Sequence, residues 1–336
     1  MTFLIQQTLT YSIPLMIVAL AGVFSERSGI INLALEGCMI IGAFAGVFFV
    51  REMQIARVFT IDSAQMLVVL ALLVAAASGA VFSLLLSFAS IKLKADQTIG
   101  GTALNMLAPA LVMFLIYALA NQGTLDMARG DANEWFMLFK TDFGFAPDYQ
   151  LSGIGEILFN RVHLATYICI FLYIILSILL YTTKFGLRLR SCGENPQAAD
   201  SLGINVYKMR YAGTTISGAL AGLGGFVYAL TTANCSATGE VAGFGFLALA
   251  VMIFGNWKPL NIALGALLFG LFKCIAAGYS SIDINGDGVY WLATIGISSY
   301  FYRLLPYLIT LIVLAFTSKK SRAPKAEGIP YEKGMR

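Results

Sequence analysis

The chain has 336 residues, of which 58% are hydrophobic and only 12% charged. A water-soluble domain carries about 25% charged residues, so the composition excludes a soluble enzyme and describes an all-α polytopic membrane protein with the bilayer as a partner. The net charge of +4 is concentrated in one central segment and the tail, a pattern of membrane orientation and not of a nucleic-acid partner.

Uncharged runs of about 18 or more residues mark spanning helices, and nine spans are expected. The first, 4–24, begins within MTFLIQQTLTYS (1–12), which lacks the basic start of a secretory signal peptide. The next are 30–50, 65–90 and 96–121, followed by a loop, 122–162, that holds six acids against three bases. Spans 163–183 and 211–231 flank the basic polar segment 184–210. The last are 243–256, 259–279 and 290–317, before a basic tail, 319–336. Residues 243–256 are short for a bilayer that asks for about 20 residues. The segment 290–317 contains Arg303 and Pro306, which predicts a broken helix.

Lys184, Arg188, Arg190, Lys208 and Arg210 place the central segment in the cytoplasm, and Lys319, Lys320, Arg322 and Lys325 place the tail there too. The acidic loop 122–162 then lies outside. Counting back along the chain puts Lys92 and Lys94 inside and the N-terminus outside. One transmembrane domain, 1–318, carries the whole pattern.

The halves of that domain echo each other. GIINLAL from Gly29 is similar to GFGFLAL from Gly243, and TIGGTALNMLAP from Thr98 is similar to TIGISSYFYRLLP from Thr294. The charge-based topology puts the two copies on opposite sides, so the repeats, about 4–121 and 211–317, are inverted, with 163–183 as the linking span. Inverted repeats mark transporters, with the substrate path at the repeat interface.

Polar residues inside the spans are the candidate path. Asn32 and Glu36 are four apart and share a helix face. Glu36 lies about 10 Å from the inner edge at 1.5 Å per residue. A carboxylate there either lines the path or hydrogen-bonds neighbouring helices together. Thr98, Thr102, Asn105 and Pro109 form one stripe of the fourth span, facing either a wet passage or a packed helix. Lys273 reads as an interfacial cation that snorkels toward the outer side, and His163, the only histidine, sits at a span edge. The five cysteines show no metal or CxxC spacing and read as small core residues. Gly218, Gly222 and Gly225 give one helix a face for close approach.

The central segment, KFGLRLRSCGENPQAADSLGINVYKMR, is built to dock. Asn195 can cap a helix, Pro196 fits its first position, and Gly203 ends it. So short a helix is unstable alone and leans on either the membrane surface or a partner protein. No Walker loop, HExxH or GxSxG motif is present, so no catalytic residue, metal or cofactor is expected. DINGDG, Asp283 to Gly288, begins like a calcium loop. Its twelfth position is Thr294 instead of the usual Glu, and a polar turn is the better reading.

FSERSGIINLALEG (24–37), IGAFAG (41–46), GENPQAADSLGINV (193–206), FGFLALAVMIFGNWKP (244–259) and LLPYLITLIVL (304–314) together resemble the permease subunits of nucleoside-type ABC importers. These are relatives of the ribose and branched-chain amino-acid permeases, and the resemblance covers nearly the whole chain. It implies cytoplasmic ATPase subunits, a second related permease in a heterodimer, and an extracytoplasmic binding protein or lipoprotein, in the cytoplasmic membrane of a bacterium. Carried onto this sequence, Gly193, Glu194, Asn195, Pro196, Ala198, Ala199 and Gly203 shape the ATPase-coupling loop. The implied cargo is a nucleoside, with a ribose-like sugar as the alternative. A secondary transporter in which Glu36 carries a proton is the rival from another class.

Overall fold

A computed structural model of the chain describes residues 2–60, 63–127, 135–146, 148–149, 151–280, 291–317 and 322–333. The calcium-like segment 283–288 lies outside the described residues. Almost all regular structure is helical, as a chain in lipid must satisfy its main-chain polar groups internally. Four long helices come first: α1 (Thr2–Glu26), α2 (Leu35–Ile55), α3 (Ala64–Ile91) and α4 (Gln97–Ala120). After the loop region come α5 (Gly153–Phe159), α6 (Leu164–Thr182), α7 (Lys184–Glu194), α8 (Pro196–Ser201) and α9 (Val206–Thr231). The chain closes with α10 (Phe244–Phe254), α11 (Pro259–Gly278), α12 (Trp291–Thr294) and α13 (Ser299–Thr317).

Among the described residues seven helices, α1 to α4, α6, α9 and α11, are long and apolar enough to cross a membrane. The chain is therefore a multi-pass membrane protein. The two remaining expected spans are occupied by the 11-residue α10 and by the short α12 followed by α13. The last span is interrupted at the non-helical residues 295–298, ahead of Arg303 and Pro306, which both lie inside the continuous helix α13 and do not break it.

Helices α1 and α9 are the most buried and form the centre. Against α9 pack α3, α2 and α1, through the small-residue face foreseen in its sequence. A Cβ on Gly222 would collide with the main chain of α3 at Ala75 and Gly79, and one on Gly218 would strike Ser83. The surfaces of α3, α4 and α6 turned outward are lined by large apolar side chains such as Leu73, Val81, Phe114 and Phe171, as lipid contact demands. The five cysteines are buried thiols.

Short antiparallel pairings organise one end of the bundle. Strand β1 (Leu125–Asp126) pairs with β4 (Ser236–Ala237), and β2 (Met137–Leu138) pairs with β3 (Val162–His163). The opposite end gathers the loop after α1, the α3–α4 turn, helices α7 and α8, and residues 322–333.

Candidate functional site

The second expected span, 30–50, begins as a helix only at Leu35. Residues 30–34 are non-helical inside the bundle, a conformation tolerated at membrane depth only when protein satisfies the main chain. That is what the polar residues do. Ser25 Oγ donates to the Ile30 carbonyl at 2.8 Å, and Gln97 Oε1 accepts from the Ile31 amide at 2.7 Å. Asn32 Oδ1 accepts from the Ala34 amide, while its Nδ2 donates to Ser217 Oγ on α9 at 2.8 Å. Asn105 of α4 donates to the Leu33 carbonyl at 2.7 Å and accepts from the Gly37 amide at 2.8 Å.

The second break precedes α10. Gly243 stands in the left-handed region, with φ of 73°, and turns the chain into the helix. The first amides of α10 lack helical acceptors. Glu36 supplies them: its Oε1 accepts from Gly243 at 2.9 Å, and its Oε2 from Gly245 at 2.6 Å and Phe246 at 3.3 Å. A carboxylate on one helix thus caps the positive end of another. Lys273 of α11 donates to the Ala242 carbonyl at 2.9 Å and lies over the rings of Phe244 and Tyr307. Its amino group therefore lies at this second break, close to the acid. With 11 residues, α10 is about 16 Å long at 1.5 Å per residue, roughly half of a hydrocarbon core of about 30 Å.

Of the expected path residues, the structure brings Asn32, Glu36 and Asn105 together around the start of α2. Thr98 and Thr102 stand apart on the exposed face of α4, where Thr102 bonds back to the carbonyls of Thr98 and Ile99. Ser217, Gln97 and Lys273 join the constellation. The first two carried no signal of their own in a sequence rich in small polar residues, and Lys273 read as an interfacial cation.

At the other site, α7 and α8 form a bent pair. Asn195 Oδ1 accepts from the Ala198 amide at 3.0 Å, Pro196 takes the first turn of α8, and Gly203 ends it with φ of 79°. Gly193 packs against the main chain at Arg27, where a Cβ would not fit. Glu194 pairs with Arg27 at 3.3 Å. Ala199 is buried beneath Tyr331, whereas Ala198 and Leu202 face outward. The short helix therefore leans on residues 322–333 and on α9, and exposes its other face.

The end that carries the strand pairings holds a chamber of about 860 Å³, lined by Gln6, Tyr11, Phe139, Asn160, His163 and Thr232 among others. Burial lowers the His163 imidazole to about 4, so it is neutral near pH 7.

Residues 4–314 match the family described as branched-chain amino acid transport system / permease component. The chain belongs to that permease family. The permease is 41% identical to the nucleoside ABC transporter permease protein NupC of Lactococcus lactis, over 98% of this chain and 96% of the relative. It is 38% identical to the guanosine ABC transporter permease protein NupQ of Bacillus subtilis, over 100% and 98%. It is 21% identical to the glucose ABC transporter permease protein TsgB13 of Haloferax volcanii, over 84% and 70%. No solved structure matches the permease. Members of the family are membrane-spanning transport components that work with ATPase and substrate-binding partners.

Proposed function

We propose that the chain is the transmembrane subunit of an ATP-driven importer that moves nucleosides across the cytoplasmic membrane of a bacterium. The observation that carries the reading is full-length likeness, near 40% identity, to two permeases named for nucleoside or guanosine transport. The likeness to a glucose permease keeps a simple sugar as the second reading.

The geometry supports a mechanism for the assembled importer. The outward face of α8, with Ala198 and Leu202, is the contact for a cytoplasmic ATPase subunit. Its inward side is fixed to the α1–α2 loop by Gly193 and the Arg27–Glu194 pair. That loop leads directly into the first helix break, which Asn32 and Asn105 secure, and on to Glu36. Movement of the ATPase thus reaches the Glu36 joint, where α2 holds the start of α10, through about ten residues of chain. Two breaks facing each other at the echoed segments support the inverted-repeat organisation, about 4–121 and 211–317.

Thr98 and Thr102, polar and exposed on α4, suit a face completed by a second permease in a heterodimer. Glu36 is bonded to three main-chain amides, an arrangement that suits a structural joint better than a proton carrier. The discriminating experiment is nucleoside uptake by cells with a protonophore added at constant ATP. The importer keeps its uptake rate, whereas a proton-coupled transporter loses it.

A further inference from the structure

Residues 322–333 contain no helix or strand, yet they lie across the end of the bundle that carries α7 and α8. Pro324, Ala326 and Tyr331 are buried. The Arg322 amide donates to Asn256 Oδ1 at 2.9 Å, and the Ala326 amide to the Gly193 carbonyl at 2.8 Å. The Gly328 amide donates to the Gly29 carbonyl at 3.3 Å. Arg210 of α9, almost fully buried, donates to the Ile329 carbonyl at 2.9 Å. Glu332 pairs with Lys94 in the α3–α4 turn. The Tyr331 ring lies 5.3 Å from Tyr207 and closes a small apolar cluster with Cys192, Ala199 and Val206. One segment thus ties together the loops after α1, α3 and α10 and the bent pair α7–α8.

A strap with only that task would turn polar side chains to water. This one presents Ile329, 55% exposed, next to exposed Pro330. Ile329 is two residues, or about 7 Å of extended chain, from Tyr331, which itself covers Ala199. Leu202, 80% exposed, is three residues along α8 from the same Ala199, about 4.5 Å of rise. Both uncovered apolar side chains therefore flank one point of the coupling surface. Arg322, Lys325 and Lys333 of the same segment and Lys208 at the start of α9 are exposed as well.

We propose that residues 322–333 are part of the docking surface for the cytoplasmic ATPase, continuous with α8. Ile329 and Leu202 occupy an apolar recess of the ATPase, and the basic side chains meet an acidic rim. The inference rests on the importer reading above and extends it to a segment that sequence alone marks only as charged.

The test uses the assembled importer in membranes. All five native cysteines are buried, so Ile329→Cys and Leu202→Cys each add one accessible thiol for a short thiol–amine cross-linker. Both variants are expected to cross-link to the ATPase subunit. If Leu202→Cys does so and Ile329→Cys reacts only with aminophospholipid or with nothing, the strap faces lipid or water and the proposal falls while the importer reading stands. If neither reaches an ATPase, both fall. A second variant, Ile329→Asp, leaves the buried anchors in place. It is expected to lower the ATPase retained per permease by about tenfold, the loss typical of a central interface residue, and an unchanged ratio overturns the proposal.

Discussion

Glu36 and Gly245 are 209 positions apart in the chain, yet the carboxylate of one accepts the amide of the other at 2.6 Å. The bond closes the start of α10 with an acid from α2, and Gly243 and Phe246 share it. Replacing Glu36 by alanine takes the side-chain acceptor from three amides, of which Gly245's is buried and those of Gly243 and Phe246 are part-buried. Hydrogen bonds to a charged group contribute about 1.5–3 kcal/mol each, so Glu36→Ala is expected to lose about 3 kcal/mol or more of stability. Thermal unfolding in detergent, followed by size-exclusion chromatography, reads the loss. Gly245→Ala should act in the same direction, because its Cβ would meet Glu36. Glu36→Gln keeps an acceptor and should retain a substantial fraction of both stability and uptake.

Asn105 holds both sides of the first helix break, at Leu33 and Gly37. Asn105→Leu fills the volume but orphans a carbonyl and an amide, at a cost of about 1–3 kcal/mol for each buried group. The expected outcome is a lower melting temperature than Thr102→Val, whose hydroxyl bonds only within its own helix turn. Equal melting temperatures for the two variants would contradict this account of the break.

Asn195→Ala removes the cap of α8, a loss of about 1 kcal/mol from a helix of six residues. That is enough to fray α8 without unfolding the bundle. Stimulation of the ATPase by loaded binding protein should fall sharply, while melting of the permease is unchanged. Asn195→Asp restores a capping oxygen and should restore most of the stimulation.

The strap carries its own titration. Burial pushes the Glu327 carboxyl up from its usual value near 4.5 to about 7, against the opposing pull of Arg27. Glu26 is a further acidic neighbour. The docked strap therefore binds a proton that the free segment releases, so docking is firmest below about 4.5 and weakens as pH rises toward 7. A nitroxide attached through Lys333→Cys should become more mobile across that window and show no such change when Glu327→Gln is added.

The apolar segments were legible because lipid enforces them: 65–90, 96–121, 163–183 and 259–279 agree with α3, α4, α6 and α11 within a residue or so at each end. The cap at Asn195 and the stop at Gly203 were equally clear, since both depend on local chemistry. Hydropathy could not show that residues 30–34 leave the helix, because GIINL is as apolar as the turns that follow. Glu36 stood out as costly, but its acceptor role depends on amides 207 to 210 positions away. The strap was hidden for a related reason. Lys and Arg dominate the tail, while Ile329, Pro330 and Tyr331 gain meaning only beside Arg210 and Ala199.

The central claim is that ATP hydrolysis, passed through α8, drives nucleoside import. Its most direct measurement is accumulation of labelled guanosine in proteoliposomes containing this permease with its permease, ATPase and binding-protein partners. The account predicts accumulation with ATP and none with a non-hydrolysable analogue, competition by unlabelled nucleoside but not by leucine, and loss of accumulation with Asn195→Ala. Accumulation driven by a proton gradient without ATP, or undiminished in Asn195→Ala, would contradict it.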